Sequence, residues 1–338
     1  MEYQALNNSI NRGVLATVYL FHGTEDFLME RYLDKLKAII LPQGLEDFNF
    51  DRVDGEKVTP ERVVELASMM PVMAEKRLII IDNPVYLLAN KTKEDKYEDK
   101  PLLEYLQNPN PSSCVVFKLI GSPDKRKKLF KAIAEKGQVY EFAPLKGRHL
   151  EEWIISFLQE KGKKIQPEAL TYLTIIGSNG LNFLEKELEK LLIYSGDEPI
   201  ISLETVQNVV TKTIEVNVFD LIDSVANKEV ERAWDLLHTT LASGEAPMKL
   251  IYLLVRQFRL ILIAKDLLNQ GCTEKQIKEK MDVHPYVVKK ALAQGRKFSE
   301  RELVNALEKL LETEILLKSG GGDPEKLLEN FIVGVCVS

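Results

Sequence analysis

Little in this chain is equipped for chemistry. Its 338 residues include three cysteines and four histidines. Cys114, Cys272 and Cys336 are far apart and odd in number, so they form neither a disulfide framework nor a Cys-x-x-Cys motif. His22, His149, His238 and His284 are as scattered, with no His/Cys pair at ligand spacing, and no metal is expected. No Gly-x-Ser-x-Gly elbow marks a nucleophile. Positive charge is not in excess either. The formal net charge is −6, which leaves no global basic field to draw the chain onto nucleic acid or an acidic membrane. The most apolar stretch, Leu250–Leu268, is broken by Arg256, Arg259 and Lys265 and reads as a buried helix with snorkelling cations rather than a membrane span. The opening MEYQALNNSINRG lacks the apolar core of a secretory signal. Together these absences predict a reduced, cytoplasmic protein with no cofactor and no catalytic residues.

What is present is enough apolar content (45%) for two or three domains. Over residues 1–142 short apolar runs alternate with helical spacing. VYLFHG, FNFDRVDG, RLIIID, CVVFKLIG and QVYEF read as strands. Between them fall helices such as EDFLMERYLDKLKAII and TPERVVELASMM, the latter with Thr59 as N-cap and Pro60 at its first position. Five strands separated by helices predict a mainly parallel sheet covered on both faces. After APLKGRH the strand patterns stop. Residues 143–212 read as a small helical domain and 213–338 as a larger one with longer helices, giving an α/β fold followed by an all-α part.

An α/β domain followed by a small helical domain raises the question of a nucleotide. A phosphate loop needs Gly-x-x-x-x-Gly-Lys-Ser/Thr after the first strand, because backbone N–H groups cradle the phosphates while Lys and Ser/Thr serve charge and metal. Here the first strand runs into LFHGTEDFLMER, and no Gly-Lys-Ser/Thr occurs anywhere in the chain. Glu25 and Asp26 suit a helix N-terminus as capping groups, but they would repel a phosphate there. Asp82, ending RLIIID, is read as structural.

Two surface candidates remain. Lys125, Arg126, Lys127, Lys128 and Lys131 form the densest cationic run, at the start of a helix whose Leu129, Phe130 and Ile133 face inward. A solvated face is preferred, with a phosphate-backbone contact as the alternative. The second is ASMMPVMAEKR, where Met69, Met70 and Met73 surround a proline. Val63, Val64, Leu66 and Met70 suffice for the inner face of the helix from Thr59, and Pro71 cannot continue it. Core packing is the preferred reading of Val72 and Met73. A surface that fits a partner's groove is the alternative, since methionine is unbranched and polarizable.

The order of motifs adds a third source of inference. VYLFHGTEDFLMERYLDKL, MMPVMAEKRLIIID, DKRKKLFKAIAEKG, FLEKELEKLLIYSG and LLETEILLKSGGGDPEKLLENFI run through nearly the whole chain. In that order they resemble the delta subunits of the bacterial DNA polymerase III clamp loader. The resemblance implies an AAA+-like parallel-sheet domain without its phosphate loop over 1–142, a lid-like helical domain over 143–212, and a helical collar over 213–338 that packs against other loader subunits. It implies partnership with the sliding clamp and, within the complex, with primed DNA. The grip on the clamp would be an apolar pair on a short helix before the KRLIII-type strand, here Val72 and Met73 beside Met70 and Pro71. Relatives often carry Leu-Phe or Phe-Phe at that pair, so this one is smaller, and LLKSGGG offers no aromatic for base stacking. Two rival functions stay open: a nucleotide-dependent DNA enzyme with an unusual phosphate loop, and a DNA-binding scaffold that never touches a clamp.

Overall fold

The structure is a computed structural model that describes residues 2–89, 98–283 and 285–337. Most of the charged loop expected at 90–101 and His284 therefore lie outside the described residues. The chain divides into two compact units, 1–144 and 145–338.

The first unit contains α1 (Glu2–Asn11), β1 (Val18–Gly23), α2 (Asp26–Ile40), α3 (Glu46–Asn49), β2 (Phe50–Asp54) and α4 (Pro60–Ser68). It continues through β3 (Arg77–Asp82), α5 (Lys100–Tyr105), β4 (Ser113–Ile120), α6 (Lys128–Lys136) and β5 (Gln138–Phe142). The five strands form one sheet in the order β2-β3-β4-β1-β5, every neighbouring pair parallel. Central strands buried on both faces need apolar residues at consecutive positions, and Val18–Phe21 and Leu78–Ile81 supply them. One face, with Val18, Leu20, Ile79, Ile81, Val115 and Phe117, packs on Val63 and Leu66 of α4, Leu102 of α5, and Leu129 and Ile133 of α6. On the alternate strand positions an aromatic cluster forms, with Phe21 5.0 Å from Phe142 and Tyr32 of α2 5.7 Å from Phe142, ring to ring. The helix α1 was not expected: its sequence is polar, and the buried Leu6 and Ile10, one turn apart, are a faint signal.

The second unit begins with α7 (Arg148–Glu160), β6 (Lys164–Ile165), α8 (Pro167–Ile176), α9 (Leu181–Ser195), β7 (Ile200–Ile201) and α10 (Leu203–Val209). The expectation that strands stop after residue 142 is corrected here, because β6 and β7 pair in parallel, Lys164 with Ile200 and Ile165 with Ile201. Two residues per strand are too few for an alternating pattern, so the sequence carried no signal. The chain goes on through α11 (Ile214–Ala226), α12 (Val230–Ala242), α13 (Pro247–Asn269), α14 (Glu274–Met281), α15 (Pro285–Gly295), α16 (Glu300–Lys318) and α17 (Pro324–Cys336). Phe258 of α13 is fully buried, 5.8 Å from the ring of Phe298 and 6.1 Å from that of Phe331. Arg256 and Arg259 lie on the solvent side of α13. Among the described residues no helix is long and apolar enough to cross a membrane.

Candidate functional site

The methionine-rich stretch lies between α4 and β3. Thr59 caps α4 by accepting a hydrogen bond from Arg62 N, and Pro60 occupies the first helical position. The helix buries Val63, Leu66 and Ala67 and stops at Ser68, one residue before the methionines. Its last turn is fastened from β4: the Ala67 carbonyl accepts from Ser113 Oγ at 2.7 Å and from Asn110 Nδ2 at 3.0 Å.

Beyond that point the chain is irregular from Met69 to Lys76. The short helix implied by family resemblance is absent. Pro71 supplies no N–H to continue a helix, and Met73 has a φ of +52°, a left-handed conformation that non-glycine residues rarely adopt and that turns the chain back toward β3. The core-packing reading is corrected as well. Met70 is 74% exposed and Met73 86%, with Met69 at 40% and Val72 at 45%. Ala67 fills the place on the inner face of α4 that the sequence reading gave to Met70.

An exposed loop of apolar side chains is useful only if its backbone is held, and Asn49 holds it. This residue ends α3 and is fully buried. Val72 N–H donates to its Oδ1 at 2.7 Å, while its Nδ2 donates to the Val72 carbonyl at 2.9 Å and to the Leu45 carbonyl at 3.1 Å. One amide thus satisfies both backbone groups of Val72, as a neighbouring strand would. Sequence reading missed Asn49, because an Asn in a polar segment resembles any turn residue. Downstream, Arg77 is fixed by Asp51 of β2.

At the carboxyl ends of the strands lies the second place of interest. Gly23 has a φ of +135°, and a Cβ there would run into the Phe142 carbonyl oxygen. The next two backbone N–H groups, of Thr24 and Glu25, both donate to that same carbonyl, at 3.1 and 3.0 Å. Glu25 occupies the N-cap position of α2 but makes no side-chain capping bond, which corrects its expected role. Burial, and then the charge of Asp26, raises its pKa. Asp26 pairs instead with Lys118 of β4 at 2.6 Å. Lys118 also pairs with Glu30, which takes a two-pronged bond from Arg52 at 2.6 and 3.0 Å, and Arg52 meets Asp82 at 2.6 and 2.9 Å. Hydrogen bonds from Arg52, then from Lys118, hold the Glu30 carboxyl down at about 2 against the opposing effect of burial. Burial alone would lower the pKa of Lys118, but Asp26 and Glu30 outweigh it and keep it raised. Asp82 is thus an ion-pair partner of Arg52.

The basic run is less concerted than expected. Helix α6 begins at Lys128, and the preceding residues form a turn in which Asp124 Oδ1 accepts from Arg126 N at 3.0 Å. Arg126 is tied to Asp124 by two side-chain bonds, and Lys127 Nζ donates to the Tyr86 carbonyl at 2.7 Å. Lys125, Lys128 and Lys131 are exposed and make no ion pair among the described residues. His238 has two carboxylate neighbours: Glu325 and Glu329 of α17 lie 2.8 and 3.0 Å from its Nδ1 and Nε2. The two carboxylates approach different ring nitrogens, so these contacts bridge α12 and α17.

A parallel five-stranded sheet in the order β2-β3-β4-β1-β5, with an exposed apolar loop leading into β3, followed by a helical second unit, defines an α/β protein with an all-α part. Residues 19–143 match the family described as DNA polymerase III, delta subunit, and residues 215–335 match the DNA polymerase III delta subunit, C-terminal domain. The chain is 32% identical over 329 residues to DNA polymerase III subunit delta of Bacillus subtilis, covering 96% of this chain and 94% of that one. It is 24% identical over 326 residues to a probable DNA polymerase III subunit delta of Aquifex aeolicus, with 93% and 90% covered. The solved structure of the Bacillus subtilis DNA clamp loader delta protein superposes with a TM-score of 0.63 at 30% identity, over 100% of both chains. The chain belongs to the delta subunits of the DNA polymerase III clamp loader.

Proposed function

We propose that this delta subunit grips the sliding clamp through Met70, Pro71, Val72 and Met73 and biases the ring toward its open form. The single observation behind this reading is that Met70, Val72 and Met73 are solvent-exposed on a loop whose backbone is pinned by buried Asn49. Ordering is thereby largely complete before binding, which lowers the cost of association. Burying a Val and a Met side chain contributes about 1.5–3 kcal/mol each before those costs. Binding alone opens nothing; the loop must bind the open ring more tightly than the closed one. The chain takes no part in hydrolysis itself, since the N–H groups that would cradle phosphate already serve Phe142 and carboxylates crowd the same turn. Nucleotide acts through other subunits, which meet this one at the helical part, where Val304, Leu311 and Ile315 make an exposed apolar stripe on α16. Of the basic run, Lys125, Lys128 and Lys131 are the cations left to touch primed DNA within the complex. The work is done in the cytoplasm.

The opening step is tested with a clamp sealed by engineered disulfides across its subunit interfaces. The chain is expected to bind the sealed ring at least about tenfold more weakly than the reduced one, a difference of about 1.4 kcal/mol. Equal affinity for both would leave a grip without an opening function.

A further inference from the structure

Although the whole chain is acidic, residues 274–297 carry seven Lys/Arg against three Asp/Glu. The fold collects part of that charge in a cleft of about 610 Å3 within the second unit, bounded by α8, α11, α12, α14 and α15. Arg232, Lys278, Lys289, Lys290 and Lys297 line it, against only Glu168 and Asp223. Lys290 is matched by Asp223 at 2.6 Å, and Lys297 donates to the Asn227 side chain at 2.7 Å and makes no ion pair among the described residues. The pairs of Arg232 with Glu229 and of Lys278 with Glu274 are solvent-exposed at 3.2 and 2.9 Å, so water screens them and their cations are available to a stronger anion. Lys289 is exposed and makes no ion pair among the described residues. Tyr286, half-buried, supplies an aromatic wall.

We propose that this cleft binds single-stranded nucleic acid through its phosphates, with a base beside Tyr286. Lys289 lies within α15 and Lys297 two residues beyond its end, so the two cations reach the cleft from separate places on its wall and suit two phosphates of one strand. A cleft of this size takes a small-molecule-sized group, so the sugar-phosphate of a single strand can enter it and a duplex cannot. Aromatic surface combined with a cationic groove is the chemistry by which single strands are held without sequence preference. The site is independent of the methionine loop, which lies in the other unit.

The test is anisotropy of a fluorescein-labelled oligothymidine titrated with the full-length chain over a range of salt. Lys289→Glu with Lys297→Glu is expected to weaken binding at least tenfold. The slope of log affinity against log salt should become shallower by about 1.4, from two lost phosphate contacts at about 0.7 each. Lys318→Glu with Lys326→Glu changes net charge equally outside the cleft and should leave affinity within twofold. Thermal melts check folding, and a Lys289→Gln, Lys297→Gln pair carries the test if the glutamate pair is unstable. Equal weakening by the two glutamate pairs, unchanged binding by the cleft variants, or tripolyphosphate binding as tightly as the oligonucleotide would each overturn the proposal.

Discussion

At the scale of single residues, Asn49 is the least conspicuous part of the site and the one on which its shape depends. Replacing it with alanine removes three hydrogen bonds in a fully buried place and leaves the Val72 N–H and carbonyl without partners. Asn49→Ala should cost about 1–3 kcal/mol of stability in urea unfolding. It should also weaken clamp binding, although every exposed apolar side chain is intact. Met73 separates the two effects in the opposite direction. Its left-handed backbone costs about 1–2 kcal/mol, which glycine would relieve while adding a similar entropy to the unfolded chain. Met73→Gly should therefore melt close to the wild type and still lose clamp affinity. Glu30 gives a pH signature. Its folded pKa, about 2, lies below the ordinary carboxylate value, so its contribution is fully present above about pH 4.5 and is lost as pH falls toward 2. Glu30→Gln should be less stable than the wild type at pH 7 by about 1 kcal/mol, allowing for partial exposure. The gap should close by pH 2. A constant gap across that range would remove the ion-pair network from the account.

At the scale of elements, the turn from β1 to α2 decides what the first unit can do. Gly23 allows β1 to approach the Phe142 carbonyl, and the N–H groups that follow are used there. Gly23→Ala meets both a backbone clash and a disfavoured φ, and should cost at least about 2 kcal/mol, measured by urea unfolding. The elements themselves were largely legible. Apolar runs gave β1, β3 and β4, the more polar FNFDRVDG and QVYEF also gave β2 and β5, and Pro60 marked a helix start that the structure reproduces. What escaped was short or non-local. The two-residue strands β6 and β7 have no period, and α1 lies in a polar segment where Leu6 and Ile10 are buried. The charged cluster of Asp26, Glu30, Arg52, Asp82 and Lys118 draws on four separate elements and cannot be read from spacing. In the candidate loop, sequence physics located the break at Pro71 but favoured burial, because an apolar residue near a helix end is more often core than surface. Exposure is a property of the finished fold.

At the scale of the whole molecule, the proposed functions divide between two compact units. The first has its own sheet and a core on both faces, and it carries the methionine loop entire. Residues 1–144 expressed alone should unfold cooperatively and bind the clamp within about threefold of the full chain, since a domain with its own core can fold by itself. The second unit, with its own core around Phe258, should not bind the clamp. The central claim is that the loop grips a partner rather than stabilising its own chain. It is tested most directly by titrating the sliding clamp of the same organism with the wild type and with a Val72→Ser, Met73→Ser double variant, each checked by thermal melting. The account predicts at least a tenfold loss of affinity with melting unchanged, because these side chains are exposed. Undiminished binding, or a large fall in melting temperature, would contradict it.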